Sequence, residues 1–461
     1  MAEEDLRQSP ASPVAEHASK PATRRHLVLL VAIIAVAVGL RLAWIAYANP
    51  NPLDGRVDDT TFYAAAGQSL ASAKGYISFL GAPTAQWPPA YPFLLAGLFK
   101  LFGSDNFLAP KIVNALAGGL ACLVIYLIAM RVFDRRVGLL AALLFALFPG
   151  QIYFSTLLMT ESLTPALVGL MALLLLMWVV ERKDARWFHH VALGVLFGIA
   201  LLARGEPVML VLVALFIWKL AVPAWRLFAR QAGVFVLAAG LTVLPWTIRN
   251  AVSMHAFVPV STALGHTLLA GHQPNPYAIG SLFPEAKIRD EYSYLPYPQR
   301  EIKVESVAEH QAIMWAVHHP VEEAWYPLLK FKHMFQNDDD AVAWVNAWAP
   351  APDTRPQLLS TQQEDNFSAL ANVYYVAVML VAVAGVPFWF SLKDKRKLLL
   401  VLFVAAWVAI HLELWPLGRY HVPLEPIFCL WAGLTLVTVY DWLIRHRQRF
   451  LAQPRRARQG R

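Results

Sequence analysis

The chain has 461 residues, 57% of them hydrophobic and only 15% charged, with 16 Trp and 25 Phe. That is more apolar surface than a soluble core can bury, so the composition excludes an ordinary soluble domain and specifies a polytopic membrane protein. The net charge of +8 comes without the basic and aromatic motifs of nucleic-acid binders, which points to anionic lipid headgroups rather than nucleic acid as the basic partner.

The first 26 residues, rich in Ala, Ser, Pro and Glu, read as a disordered N-terminus. A helix needs about 20 apolar residues to cross the hydrocarbon core. Runs of that kind predict ten spans: 27–48, 108–130, 137–154, 160–180, 187–204, 206–222, 231–249, 367–390, 398–415 and 421–443. The expected class is an all-α polytopic membrane protein with two large outward loops carrying interfacial helices. The first run contains Arg41 and is long for a signal peptide, so it reads as an uncleaved anchor despite the "AYA" at 46–48. Cys122 and Cys429 both fall inside spans, and no disulfide framework is indicated.

Orientation follows from Lys and Arg, which accumulate in cytoplasmic loops. "ATRRH", "RVFDRR", "ERKDAR", "KLAVPAWRLFAR", "LKDKRK" and the tail 444–461 alternate with loops nearly free of basic residues. Both termini are therefore expected in the cytoplasm. The seven spans within 27–249 enclose an outer loop at 49–107; a second outer segment covers 250–366, and three spans follow in 367–443.

In the first loop, "VDDTTFYAAAGQSL" (57–70) places Asp58 and Asp59 at the start of a helix, where Asp also serves as an N-cap. The apolar piece 83–103 is expected to lie along the interface, opened by Pro88 and Pro89 and anchored by Trp87 and Tyr91, because a further span would invert every later loop. Three arginines break the positive-inside pattern: Arg204, Arg249 and Arg419, each at the outer end of a span. Charge in that position is costly and faces a partner or a wet cavity. A guanidinium fork suits phosphate. Together with the acids they predict a site that holds an anionic lipid headgroup beside a carboxylate.

Among the remaining polar residues, Glu161 is either a helix-start acid or a substrate contact. Glu206 reads as the ion-pair partner of Arg204, and His411, Glu413 and His421 gather around "HLELWPLGRYH". "NDDD" (337–340) lacks the Gly and spaced acids of a calcium loop and reads as a solvated face. No ligand spacing indicates a metal, although a divalent ion is compatible with the chemistry.

The order and spacing of "DDTTFYAAAGQSL", "PTAQWPPAYPFLLAGLFKLFG", "MTESLTPALVGLMALLL", "GIALLARGEPVMLVL", "LPWTIRN" and "GRYHVPLEPIFCLWAG" resemble the GT-C superfamily of membrane glycosyltransferases, in the branch of bacterial protein O-mannosyltransferases and lipid A aminoarabinose transferases. The resemblance implies transfer of a sugar from a polyprenyl-phosphate donor to a hydroxyl or phosphate of a lipid, glycan or protein acceptor. It implies a bacterial inner-membrane location with the site facing the periplasm. A catalytic Asp four residues before a Tyr selects Asp59 with Tyr63, with Asp58 as the other candidate. Arg204, Arg249 and Arg419 correspond to the donor-phosphate residues, and Tyr63, Glu161, Tyr420 and His421 to substrate contacts. Some relatives carry a charged residue just before the interfacial helix, where this chain has Gln86 and Trp87. A transporter or flippase of lipid-linked sugars fits many of the same features, but no inverted repeat is evident and the acids lie in an outer loop.

Overall fold

The computed structural model describes residues 24–53, 59–182, 185–274, 285–346, 358–415 and 417–452. Asp58 and the first 23 residues lie outside that set. Among the described residues all regular structure is helical, apart from one isolated bridge between Ile77 and Pro83.

The N-terminal half runs α1 (Arg24–Tyr47), α2 (Asp59–Ala71), α3 (Ala90–Phe102), α4 (Leu108–Val132), α5 (Arg135–Ala146), α6 (Pro149–Phe154), α7 (Thr164–Leu175), α8 (Trp187–Ala203), α9 (Val208–Ala221) and α10 (Trp225–Met254). The outer segment that follows contributes α11 (Leu264–Gly271), α12 (Ala286–Glu291), α13 (Gln299–His318), α14 (Pro320–Phe335) and α15 (Asp340–Asn346). The chain then returns through α16 (Thr361–Ala384), α17 (Val386–Trp389), α18 (Lys395–Glu413) and α19 (Glu425–Ala452).

Among the described residues, six helical segments are long and apolar enough to cross a membrane: Arg25–Tyr47, Leu108–Val132, Thr160–Val180, Trp225–Met254, Thr361–Ala384 and Gly418–Gln448. The other expected spans fall on shorter helices, α5 with α6, α8 and α9, and on α18, whose first turn carries Lys395, Arg396 and Lys397. The run 137–154 is broken where Pro149 cannot continue α5 and instead opens α6. Asp134 starts α5 by accepting from the backbone N–H groups of Arg136 (2.7 Å) and Val137 (3.0 Å).

Small residues let the helices approach. Gly194 and Gly198 present bare backbone on α8 to α10, where an added Cβ would come within 2.3 Å of the Phe235 carbonyl oxygen and 2.9 Å of that of Ala239. This is small-xxx-small packing, in which close backbone contact replaces a hydrophobic driving force that lipid cannot supply.

The two ends of the bundle differ in chemistry. At one end Arg131 pairs with Glu181, Arg136 makes a fork to Asp441 (2.8 and 2.7 Å), Arg396 donates to the Arg131 carbonyl (2.8 Å) and Lys395 to that of Leu220 (2.6 Å). These belong to the basic loops of the sequence. Glu161 lies 20 residues before Glu181, about 30 Å along the helical axis, and marks the opposite end.

Two expectations are corrected. Trp87 and Tyr91 are not interfacial anchors: Trp87 stacks on Phe62 (centroids 3.8 Å apart) and Tyr91 is buried edge-on against Tyr63 (5.2 Å). Both rings pack into an aromatic cluster with Phe62 and Tyr63, and α3 instead exposes Phe93, Leu101 and Phe102. The "NDDD" stretch is not a solvated face: Asp338 is buried, Asn372 donates to Asp339 (3.0 Å), and Asp340 accepts from the Arg419 backbone N–H (2.7 Å). Asn372 and the Arg419 backbone thus satisfy the carboxylates of Asp339 and Asp340.

Candidate active site

Asp59 is the first residue of α2, and its carboxylate meets residues from two distant elements. One oxygen accepts from the Trp87 indole Nε1 (3.0 Å), the other from an Arg419 Nη (2.8 Å). Arg419 stands in the 3-10 turn 418–424 that precedes α19. Its other Nη lies 3.6 Å from Glu161, in the 3-10 turn before α7. Glu161 in turn accepts from Arg204 (3.2 Å), the residue that closes α8. Arg204 also donates to Thr160 (3.2 Å) and Glu206 (3.1 Å), and Glu206 lies 3.7 Å from His411 of α18.

Five helix ends thus bring together Asp59, Glu161, Arg204, Glu206, His411 and Arg419. Charges this deep persist because each has an opposite partner. Aromatic faces complete the cage: Arg419 lies over Trp344 (4.7 Å), and Tyr420 lies beneath both Arg204 (5.4 Å) and Arg419 (5.6 Å). The Nε and one Nη of Arg419 have no hydrogen-bond partner among the described residues.

Exposure singles out Asp59. Its side chain is 25% exposed, against 9% for Arg419, 9% for Arg204 and 3% for Glu161. Burial works to raise the Asp59 carboxyl, but the charge and hydrogen bond of Arg419, helped by Trp87, hold it below the usual carboxylate range. It is an ionised acceptor at neutral pH. Tyr63, one turn along α2, is buried, and burial with the neighbouring Asp59 and Glu161 charges pushes its phenol well above the usual value, so it remains a donor.

Two arginine-site expectations separate. Arg204 and Arg419 share Glu161, whereas the Arg249 guanidinium donates to the carbonyls of Thr84 (2.6 Å) and Tyr76 (2.5 Å) and stacks on Trp246 (4.9 Å). None of its partners belongs to the cluster. His421 also points elsewhere: it is fully buried, bonded through Nδ1 to the Met334 carbonyl (2.7 Å) and 3.4 Å from both Asp338 and Glu425. Glu206 is the partner of Arg204, as its position two residues on suggests. Trp87 is the residue that sequence reasoning missed; its place two residues before the helix-opening Pro89 was the available signal.

Residues 86–248, about a third of the chain, match the family model described as dolichyl-phosphate-mannose-protein mannosyltransferase. No curated protein sequence matches significantly. In fold, the chain is similar to the archaeal oligosaccharyltransferase AglB from Archaeoglobus fulgidus, solved in complex with an inhibitory peptide and a dolichol-phosphate. The two are 17% identical with a TM-score of 0.53, over 93% of this chain and 52% of that one. The same protein tethered with an acceptor peptide gives 17% and 0.54, over 92% and 50%. ArnT from Cupriavidus metallidurans, bound to undecaprenyl phosphate, is 16% identical with a TM-score of 0.43, over 90% of this chain and 78% of that one. The chain therefore spans about half the length of AglB. The polytopic helical fold is thus like that of AglB, and the stretch 86–248 is similar to the mannosyltransferase family model.

Proposed function

We propose that the protein transfers a sugar from a polyprenyl-phosphate donor to an acceptor hydroxyl or phosphate at the outer face of the membrane, with Asp59 as the catalytic carboxylate. The observation that carries this reading is the partly open Asp59 held by Arg419 at the edge of an otherwise buried charge network. The similar fold of AglB, solved with a dolichol-phosphate and with an acceptor peptide, supports the choice of substrates.

In this reaction the acceptor oxygen attacks the anomeric carbon, the bond from that carbon to the phosphate oxygen breaks, and the lipid phosphate leaves with the electron pair. Asp59 receives or orients the acceptor proton. An ionised carboxylate with depressed pKa is a weak base, so its main contribution before donor entry is orientation. A phosphate that takes up the spare donors of Arg419 draws that guanidinium's charge away from Asp59, and the carboxylate gains basicity when the donor is in place. Arg204 and Arg419 stabilise charge growing on the leaving phosphate, a role typically worth a few kcal/mol per well-placed donor. Tyr63, Glu161 and Tyr420 line the approach.

The outer-face assignment rests on the basic loops at the opposite end of the bundle. Turnover of a polyprenyl-phosphate sugar by the purified chain in proteoliposomes tests the proposal: release of lipid phosphate with sugar on an acceptor supports it, while movement of intact donor across the bilayer without cleavage favours a flippase.

A further inference from the structure

Beneath the candidate active site lies a second polar cluster that the transfer reaction does not use. Asp338, His421 and Glu425 are all buried, and one ligand atom from each falls within 4.8 Å of the others. His421 Nε2 is 3.4 Å from Asp338 Oδ1 and 3.4 Å from Glu425 Oε1. Those contacts are too long for charge-assisted hydrogen bonds, which run at about 2.7–2.9 Å. Among the described residues Nε2 of His421, Oε1 of Glu425 and Oδ2 of Asp338 have no hydrogen-bond partner.

We propose that Asp338, His421 and Glu425 bind a divalent transition-metal ion, zinc by size. Two observations agree. The Nδ1 of His421 faces the Met334 carbonyl at 2.7 Å and must donate to it, which leaves Nε2 with its lone pair directed at the two carboxylates. A backbone carbonyl on the far ring nitrogen is how proteins fix a metal-ligating imidazole. The spacing is also right: ligands about 2.0–2.1 Å from a tetrahedral zinc stand about 3.4 Å apart, the separation found on both edges. Metal ligation takes both carboxylates ionised and the imidazole neutral, and a divalent cation would cancel the two negative charges of that set.

The surroundings hold this geometry. Tyr375 and Phe335 lie on the imidazole with centroids at 4.6 and 5.8 Å and tilts of 26° and 24°. Gln151 Nε2 donates to the second Glu425 oxygen (2.7 Å), orienting the carboxylate. Gly150 makes room for Asp338: a Cβ there would come within 2.1 Å of its carboxylate. The ion would tie the loop after α14 to the start of α19, the same turn that carries Arg419. Its role is to position that arginine rather than to touch substrate.

The test uses the full-length protein in detergent, purified with a histidine-free tag, stripped by a chelator and returned to Zn2+ or Co2+. About one equivalent of Zn2+ per wild-type chain is expected, with Co2+ giving the visible bands of a low-coordinate site. Asp338→Asn and Glu425→Gln should bind at least about 100-fold more weakly, and Gln151→Leu about 10- to 100-fold more weakly. Monodisperse elution and retained helicity establish that each variant is folded. Stripped wild-type protein that stays folded yet takes up neither ion overturns the proposal, as does equal Zn2+ uptake by wild type and folded Glu425→Gln. The triad would then be an imidazolium held between two carboxylates.

Discussion

Asp59 and Arg419, 360 residues apart in sequence, meet at 2.8 Å, and the contact joins the start of α2 to the turn that opens α19. One guanidinium keeps the Asp59 carboxylate ionised while also approaching Glu161 at 3.6 Å. Removing its charge should therefore change the acid–base behaviour of a group far from it in sequence.

The pH profile reads that coupling. Asp59 is held below the usual carboxylate range, so it stays charged above that range and loses its charge only as pH falls through its depressed value. In Arg419→Gln only Trp87 and the more distant Arg204 still oppose burial, and the acidic limb of residual kcat/KM should move to higher pH by about 1 to 3 units. An unmoved limb would show that Arg419 does not set the ionisation of Asp59.

The arginines should divide two to one. Arg204→Lys and Arg419→Lys keep charge but lose the fork, and each should raise the donor KM or lower turnover by an amount equivalent to roughly 1 to 3 kcal/mol. Arg249→Lys breaks a fork onto the carbonyls of Tyr76 and Thr84, so it should lower thermal stability while leaving the donor KM near wild type. A donor KM for Arg249→Lys as high as for the other two would restore a three-arginine anion site.

Trp87→Phe preserves an aromatic face against Phe62 and deletes the indole donor to Asp59. Loss of one neutral donor to a charged acceptor costs about 1.5 to 3 kcal/mol, so turnover should fall at least about tenfold while helicity and elution stay unchanged. Wild-type turnover in this variant would reduce Trp87 to a packing residue.

Orientation is checked by reporters active only outside the cytoplasm. Fusions near residue 300, in α13, should be active, and fusions near 184 or after 450 silent. An active reporter at 184 would invert the bundle and place the Asp59 cluster on the cytoplasmic side.

How far the sequence spoke depends on what each residue has as a partner. Glu161, Arg204 and Arg419 were legible because charge at the end of an apolar span demands explanation, and Glu206 because its partner is two residues away. Arg249 carries the same signal, but its partners are backbone carbonyls of Tyr76 and Thr84, which have no residue signature. Trp87 reads as an anchor until the chain folds back and stacks it on Phe62, 25 positions earlier. For the buried triad, the i,i+4 spacing of His421 and Glu425 was on view, but Asp338 arrives from the far end of α14 and completes the set only in three dimensions. The helices themselves were legible from apolar run length, whereas the break at Pro149 and the inward turn of "NDDD" depended on tertiary packing.

The most direct measurement is sugar transfer by Asp59→Asn beside Asp58→Asn in proteoliposomes with a polyprenyl-phosphate sugar. Asn keeps the size of Asp59 and can still accept from Trp87 or Arg419, but it has no basicity. Transfer should fall by at least about a hundredfold, the usual worth of a general base, with elution and thermal stability near wild type, while Asp58→Asn retains substantial activity. Wild-type transfer by folded Asp59→Asn would contradict the account and leave the carboxylate as the structural partner of Arg419.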